Sequence, residues 1–276
     1  MNEFNLGNDT CLNSIAIRVK DRDKMIDFYQ KIIGFDLKRE ENELAILGTI
    51  ATDSELLLLE ESPRANDHTG EIKKLQRLTL VIPTKEEFAN ILYRIRTANY
   101  TIKDALTTQG RMGLIVTDPE ENELEIYFSD QTTTGMEQPK QLNQEEVVAQ
   151  ASRENQTLSE DVHFEKVHLN VHSLASEHTF LSEILGLKVQ DELDGIHVLN
   201  EGAFHVGLNE AQGGTIALPT DEVLGLDFLR FGIKKDRLQS LEEHLLQADY
   251  DFFIDKKKTV LTIYDSIGIE WWFMSK

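Results

Sequence analysis

Apolar and polar residues follow one order along the chain, and that order occurs twice. Residues 14–47 begin with alternating apolar positions, continue with apolar residues at helical spacing and reach a stop at Gly34. Residues 165–200 show the same succession and reach their stop at Gly186. A shared order of elements within one chain predicts an internal repeat, which fixes the architecture before any motif is considered.

Each half contains a smaller unit of one strand, one helix and three strands. Alternation of apolar and polar residues predicts the strands, and apolar spacings of three and four predict the helices. The predicted fold class is therefore α+β, with four βαβββ units paired into two domains. Helices are predicted over residues 21–33, 84–98, 174–184 and 235–248, and strands over residues 15–19, 36–40, 43–47, 55–60, 76–82, 101–106, 111–117, 123–128, 165–171, 188–193, 195–200, 203–209, 226–233, 250–256, 258–264 and 268–274.

A polar segment divides the chain near its middle. Residues 131–160 are rich in Gln, Thr and Glu and contain no aromatic residue. Such a composition is typical of a connection between domains. We expect a short helix at residues 145–151 within it, and we place the two domains at residues 1–130 and 161–276.

The chain is strongly acidic. Its 276 residues include 28 Lys and Arg against 49 Asp and Glu, which gives a formal net charge of −21. This charge repels nucleic acid and anionic membranes, so neither is an expected partner. No apolar run reaches a membrane span, and no secretory signal pattern is visible. The single cysteine, Cys11, excludes an internal disulfide, and we expect a cytoplasmic protein.

Several phrases resemble those of the vicinal oxygen chelate superfamily, which includes glyoxalase I, bleomycin-resistance proteins and extradiol ring-cleaving dioxygenases. FYQKIIGF (28–35) is similar to that superfamily's helix ending. TDPEENELEIYFSD (117–130) and FHVGLN (204–209) look like parts of the two-domain catechol-2,3-dioxygenase-like proteins of Gram-positive bacteria. EESPR (60–64) gives a weaker resemblance to CppA, a streptococcal protein linked to complement C3 degradation. The resemblance implies two glyoxalase/dioxygenase-like domains whose curved mixed sheets surround a cleft.

The same resemblance implies a divalent metal, Fe(II) or Mn(II), held on the first and fourth strands of the units. Strand alternation puts three candidate ligands, His168, His205 and Glu270, on the face opposite the apolar side chains. Two histidines and a carboxylate leave open positions for a bidentate substrate and O₂. Other residues predicted to lie in the cleft are Asn170, Asn209 and Trp272, with Tyr264 as a donor behind the ligands.

One position departs from the family pattern. Phe228 lies on the first strand of the last unit, where extradiol enzymes generally have a histidine. Asp227 beside it is predicted to point to the opposite face of the strand. His205 is also a candidate for the catalytic acid–base residue, and in that role it would leave only two metal ligands. Both assignments stay open, and so does the presence of the metal.

The first half provides an internal comparison. Its matched cleft positions offer one possible ligand, Glu125, which we expect to form an ion pair with Arg77. An alternative is that Arg18 and Arg77 bind an anionic ligand. The complete set of matched positions is Ala16, Arg18, Arg77, Thr79, Glu125 and Tyr127.

Two functions follow from these observations. The first is a metal-dependent enzyme related to extradiol dioxygenases, acting on a small catechol-like substrate. A glyoxalase-type isomerase or a thiol transferase would use the same metal ligands. The alternative is a non-catalytic binding or interaction protein on the same fold, in the manner of CppA. The sequence does not decide whether the chain forms a homo-oligomer.

Overall fold

The computed structural model describes residues 4–66, 68, 70–108, 110–130, 138–153, 157–191, 196–199 and 202–276. The strands are β1 (Cys11–Val19), β2 (Asp36–Glu41), β3 (Leu44–Gly48), β4 (Leu57–Glu61), β5 (Leu75–Ile82), β6 (Ile102–Thr108), β7 (Arg111–Thr117), β8 (Glu123–Ser129), β9 (Lys140–Gln141), β10 (His163–Val171), β11 (Lys188–Asp191), β12 (Ile196–Leu199), β13 (Phe204–Glu210), β14 (Gly225–Ile233), β15 (Phe253–Ile254), β16 (Val260–Tyr264) and β17 (Glu270–Ser275). The α-helices are α1 (Arg22–Asp27), α2 (Lys85–Thr97), α3 (Gln144–Val148), α4 (Leu174–Thr179) and α5 (Lys235–Gln247), and a 3₁₀ turn spans Thr220–Glu222.

The predicted order of elements is confirmed through all four βαβββ units. The polar segment contains the short helix α3 and also strand β9, which was not predicted and pairs with β6. Parts of the predicted connection, residues 131–137 and 154–156, lie outside the described residues. Residues 192, 193, 195 and 200 of the predicted strands 188–193 and 195–200 also lie outside the described residues.

Both repeated helices continue as a π-helical turn before the glycine stop. After α1 the turn spans Phe28–Ile33, and after α4 it spans Phe180–Ile184. The wide turn ends at Gly34, whose φ of 107° lies in the left-handed region that favours glycine. A single aromatic position therefore starts the π turn in each copy of the repeat.

The described residues form two compact units that do not follow chain order. One unit, called unit 1, takes residues from 1–18, 64–76 and 166–276. The other, unit 2, takes residues from 19–63 and 77–165. The division of the chain at residues 131–160 stays a prediction about the sequence repeat.

Unit 1 contains two groups of strands with one core between them. In the first group β1 pairs antiparallel with β14, β14 pairs parallel with β17, and β16 and β15 follow. In the second, β10 pairs parallel with β13, followed by β12 and β11. Phe204 of β13 meets Phe231 of β14 at 5.7 Å between ring centroids, and Phe231 stacks on Trp271 at 5.4 Å. The two groups therefore share a core, and the other face of each group points away from that core.

Unit 2 also contains two groups of strands. One is β4, β3 and β2 in antiparallel order, and the other joins β5 parallel to β8, followed by β7, β6 and β9. Helix α2 begins after Thr84, whose hydroxyl accepts a hydrogen bond from the Glu87 N–H at 3.2 Å. Four of its apolar side chains are fully buried: Phe88, Ile91, Leu92 and Ile95. The packed face leaves the opposite faces of β6, β7 and β8 outward.

Candidate functional site

Glu270 begins β17 on the outward face of unit 1, as the alternation predicted, because Ile269 and Trp271 on either side are buried. Both of its carboxylate oxygens accept hydrogen bonds. The Tyr264 hydroxyl donates to Oε1 at 3.1 Å, and the Trp272 indole N–H donates to Oε2 at 2.6 Å. The negative charge of Glu270 helps burial to raise the pKa of Tyr264. The carboxylate is therefore held by two aromatic donors.

The residue opposite Glu270 on the neighbouring strand is Phe228, in parallel register. The Phe228 ring stacks on the indole of Trp272, with 4.5 Å between centroids and 9° between planes. Tyr264 on β16 keeps 51% of its surface exposed. Phe228 itself is buried, so Trp272 and Tyr264 form the accessible part of this aromatic cluster, at the place where the family resemblance implied a metal ligand at position 228.

Two arginines of the same unit are held by neighbouring strands. Arg18, at the end of β1, pairs with Asp227 at 3.0 Å, and both side chains are buried. Asp227 reaches Arg18 because a bulge shifts the β1–β14 register at this point. Arg230 donates to the Ser14 hydroxyl through Nε at 3.1 Å. Arg18 therefore has a partner within the fold, which disfavours the alternative of an anionic ligand there.

The turn before Glu270 is anchored by a buried carboxylate. Asp265 accepts hydrogen bonds from the backbone N–H groups of Ile267 and Ile269 at 3.0 and 2.8 Å. The Trp271 indole N–H donates to its second oxygen at 3.2 Å. Burial raises the pKa of Asp265, although these donors oppose the shift. The turn therefore fixes the start of β17 and the position of Glu270, its first residue.

A second carboxyl group lies against this turn. Glu177 of α4 is fully buried and accepts a hydrogen bond from the Ser266 hydroxyl at 2.6 Å. Burial raises the pKa of Glu177, and the negative charge of Asp265 raises it further. We call Glu177 and Asp265 the buried carboxyl pair. A proton held by the pair at neutral pH avoids placing two charges in the core.

The two predicted histidine ligands lie on neighbouring strands of the other group. His168 of β10 is opposite Gly207 of β13, and His205 lies two residues before that glycine. A Cβ atom at Gly207 would come within 2.5 Å of His168 Nδ1, so the imidazole covers the glycine. Asn170 and Asn209 follow on the same strands, with the Asn209 amide donating to the Asn170 oxygen at 2.8 Å.

The structure does not bring the three predicted ligands together. Val167 and Val206 beside the histidines point into the core of unit 1, and so does Trp271 beside Glu270. His168 and His205 therefore lie on one outward face, and Glu270 lies on the other. Across the described residues, no three His, Cys, Asp or Glu side chains are grouped so that they could hold a metal ion. The prediction combined strands that belong to two different sheets.

A second correction concerns the first half of the chain. Arg77 does not pair with Glu125, because the β5–β8 register puts Arg77 opposite Glu123. Arg77 Nη2 lies 3.0 Å from a Glu123 oxygen. Glu125 instead accepts a hydrogen bond from the Thr79 hydroxyl at 3.2 Å. Glu123 and Glu125 are both visible in the sequence, but the strand register that places Arg77 opposite Glu123 is not.

Comparisons with known proteins agree with this architecture. Residues 12–126 match the family model described as the Glyoxalase/Bleomycin resistance protein/Dioxygenase superfamily, and residues 158–273 match the model of the CppA C-terminal region. The crystal structure of CppA from Streptococcus pneumoniae TIGR4 is similar, with a TM-score of 0.68 and 19% identity. That likeness covers 95% of this chain and 98% of the CppA chain. The chain has the glyoxalase-superfamily fold.

Further relatives of this glyoxalase-fold chain carry enzyme names. Glyoxalase I from Zea mays has a TM-score of 0.58 and 14% identity, over 97% of this chain and 92% of its own. A protein of Bacillus subtilis (strain 168) named catechol-2,3-dioxygenase is 24% identical over 241 residues, which cover 80% of this chain and 81% of the relative. The fold class and both resemblances predicted from the sequence are confirmed. No helix in the described parts of the chain is both long and apolar enough to cross a membrane.

The residues around Glu270 do not fit the divalent metal that the superfamily resemblance implies. Each oxygen of Glu270 already accepts one hydrogen bond, which leaves one lone pair on each oxygen. The opposite position offers the phenyl ring of Phe228, and Ala16 lies beyond it on β1. Neither Phe nor Ala carries an atom that ligates a metal.

Proposed function

We propose that this glyoxalase-fold chain is a binding protein that holds a small organic molecule on the outward face of β14, β16 and β17 without a catalytic metal. The hydrogen bonding of Glu270 carries the proposal, because Tyr264 and Trp272 each donate to one of its oxygens. In this arrangement the carboxylate positions two aromatic rings instead of a cation. The proposal corresponds to the non-catalytic alternative that the sequence left open.

The chemistry of the face favours a flat ring as the ligand. Phe228 and Trp272 are stacked almost parallel, and Tyr264 is half exposed beside them. Aromatic side chains bind planar groups by offset stacking and by edge contacts. Since Glu270 fixes the orientations of the indole and the phenol, little side-chain freedom is lost when a ring binds.

The second candidate is a metal-dependent enzyme of the extradiol dioxygenase type acting on a catechol-like substrate. It is supported by the Bacillus subtilis relative named catechol-2,3-dioxygenase and by the position of His168 and His205 on adjacent strands. In this case the two histidines would hold Fe(II) or Mn(II) with a third ligand other than Glu270.

Elemental analysis by mass spectrometry separates the two candidates. The protein is purified without chelators or metal-affinity resin and is then loaded anaerobically with Fe(II) or Mn(II). We expect metal content far below one ion per chain, equal in the wild type, His168→Ala and Glu270→Gln. Near-stoichiometric metal that disappears in either variant would overturn the proposal and support the enzyme.

Ligand binding is tested with 4-nitrocatechol, whose visible absorbance changes in an aromatic environment. We expect the chelator-treated wild type to bind it, and Trp272→Ala to bind at least tenfold more weakly because the stacking surface is lost. His205→Ala is the matched control, since that side chain lies across the core of unit 1 from Trp272. Equal binding by the Trp272→Ala variant would contradict this location.

A further inference from the structure

A cavity of about 310 Å³ lies within unit 2, on the outward face of β6, β7 and β8. Its volume is at the lower end of the range for small-molecule sites, roughly 300–1,000 Å³. We call it the β6–β8 pocket. The residues that line it are Asp104, Leu106, Thr107, Thr108, Arg111, Gly113, Leu114, Ile115, Glu125 and Pro139.

The strand register orders the pocket by charge. At one end, Asp104 of β6, Ile115 of β7 and Glu125 of β8 form a row across the sheet, so an apolar side chain separates two carboxylates. At the other end, Arg111 of β7 lies opposite Thr108. By strand register the pocket has an acidic end and a basic end. The long Arg111 side chain nevertheless reaches over Tyr127 to within 3.9 Å of Glu125, so the opposite charges are adjacent.

The middle row of the pocket is apolar and has space above it. Leu106 lies opposite Gly113, which in turn lies opposite Tyr127. A Cβ atom at Gly113 would make only ordinary contacts, the nearest being Tyr127 Cβ at 3.5 Å. Glycine is thus not required here by the fold, and its missing side chain leaves room for the body of a ligand.

The basic end is prepared for a carboxylate. The Arg111 guanidinium carbon lies 3.9 Å from the centre of the Tyr127 ring, so the cation stacks on the phenol. The Tyr127 hydroxyl donates in turn to Glu165, which fixes the ring. Arg111 approaches Glu125 at 3.9 Å, too far for a hydrogen bond. A planar guanidinium held in this way can bind a carboxylate through two parallel N–H groups.

The acidic end requires a second charge on the ligand. Asp104 and Glu125 outnumber Arg111, so a ligand that carried only a carboxylate would meet net repulsion. A ligand that carried only an ammonium group would not use the N–H groups of Arg111, whose contacts in the fold are the Tyr127 ring and the more distant Glu125. An α-amino acid carries both groups on one carbon atom beside its side chain, so it can meet the adjacent charges of Arg111 and Glu125 together.

We propose that the β6–β8 pocket binds a small zwitterion, an α-amino acid with an apolar side chain. The carboxylate pairs with Arg111, the ammonium group lies toward Asp104 and Glu125, and the side chain occupies the space above Gly113. This site lies in unit 2 and is independent of the aromatic face around Glu270.

The experiment is calorimetric titration of the full chain with three related probes. L-phenylalanine carries both charges, 3-phenylpropanoate lacks the ammonium group, and phenethylamine lacks the carboxylate. We expect saturable binding of L-phenylalanine and at least tenfold weaker binding of each single-charge probe. Absence of saturable binding of L-phenylalanine, or equal binding of either analogue, would overturn the proposal.

Two variants locate the site. Gly113→Val fills the cavity with a side chain that strands accept readily, and Arg111→Gln removes the cation while keeping a polar side chain. Both should lower the affinity for L-phenylalanine at least tenfold, with thermal unfolding used to verify that each variant is folded. Leu246→Ala, at an exposed position of α5 in unit 1, should leave the affinity unchanged. Unchanged affinity in Gly113→Val and Arg111→Gln would mean that the amino acid binds elsewhere.

Discussion

Single residues around Glu270 illustrate what alternation can and cannot predict. The alternation of β17 placed Glu270 and Trp272 on the outward face, and the burial of Ile269 and Trp271 agrees with it. Tyr264 was predicted as a donor behind the ligands, but its pairing with Glu270 was not, because Tyr264 reaches Glu270 through the β16–β17 register. Register depends on turn geometry and packing, which leave little local trace in the sequence.

The buried carboxyl pair gives a pH dependence at the residue scale. The pKa of Glu177 is raised by burial and by Asp265, so the native state holds a proton that the unfolded chain releases above about pH 4.5. The contribution of the pair to stability is therefore greatest below that pH and declines as pH rises through the raised pKa of the pair. Between pH 5.5 and pH 8 we expect the free energy of unfolding of the wild type to fall by on the order of 2 kcal/mol because of this pair. The Glu177→Gln variant should not show this fall. Urea unfolding at pH 5.5 and at pH 8 measures the free energy of unfolding of both proteins.

The matched turn in unit 2 supplies the control for this effect. There Asp118 accepts a hydrogen bond from the Tyr29 hydroxyl at 3.0 Å, and Tyr29 has a pKa raised well above its ordinary value by burial. Tyr29→Phe should lower the free energy of unfolding without changing its slope between pH 5.5 and pH 8. If Glu177→Gln also keeps the wild-type slope, the carboxyl pair does not hold the proton.

At the scale of elements, strands and α-helices were predictable, but the π turns were not. The apolar positions Met25, Ile26, Tyr29 and Ile33 fit an α-helix and a π turn equally well over so short a segment. Only the backbone shows the difference, through the hydrogen bond from the Gly34 N–H to the Tyr29 carbonyl. Hydrophobic spacing shows which face of a helix is buried, but it does not show whether one turn contains the extra residue of a π turn.

The stop after the second π turn can be tested by substitution. Gly186 has a φ of 66°, and a Cβ atom there would lie 2.2 Å from the Phe4 carbonyl oxygen. Gly186→Ala should therefore add a steric clash to the strain of the left-handed conformation. Gly213 has a φ of 83° with nothing within 4 Å, so Gly213→Ala isolates the strain, worth about 1–2 kcal/mol. Chemical denaturation should show a distinctly larger loss for Gly186→Ala, and equal losses would refute the clash.

At the scale of the molecule, the repeat predicted the number and order of units but not how their strands associate. The metal prediction assumed that neighbouring units curve around one cleft. Instead the two βαβββ units that follow residue 160 pack through a shared core, and β14 pairs with β1 from the start of the chain. Partners separated by so many residues are chosen by the complete fold, and a single sequence does not encode them locally.

The net charge of −21 predicts a salt response of the whole protein. Repulsion among the excess carboxylates destabilises the compact state, and added ions screen it. Raising NaCl from about 0.05 to about 0.5 M at pH 7.5 should increase the melting temperature by roughly 2–4 °C. The increase should shrink at pH 5.5, nearer the isoelectric point of about 4.7. A melting temperature that is flat or falls with salt at pH 7.5 would argue against repulsion as the dominant effect.

The pairing of β1 with β14 has a consequence during synthesis on the ribosome. Residues Cys11–Arg18 form this pairing with residues 225–232, which are translated roughly 200 residues later. At typical elongation rates of roughly 5–20 residues per second, that edge of β1 waits roughly 10–40 s for its partner. Ile15 and Ile17, which are completely buried in the finished protein, belong to the waiting strand. The nascent chain therefore carries an apolar segment that a ribosome-bound chaperone would need to shield until translation is nearly complete.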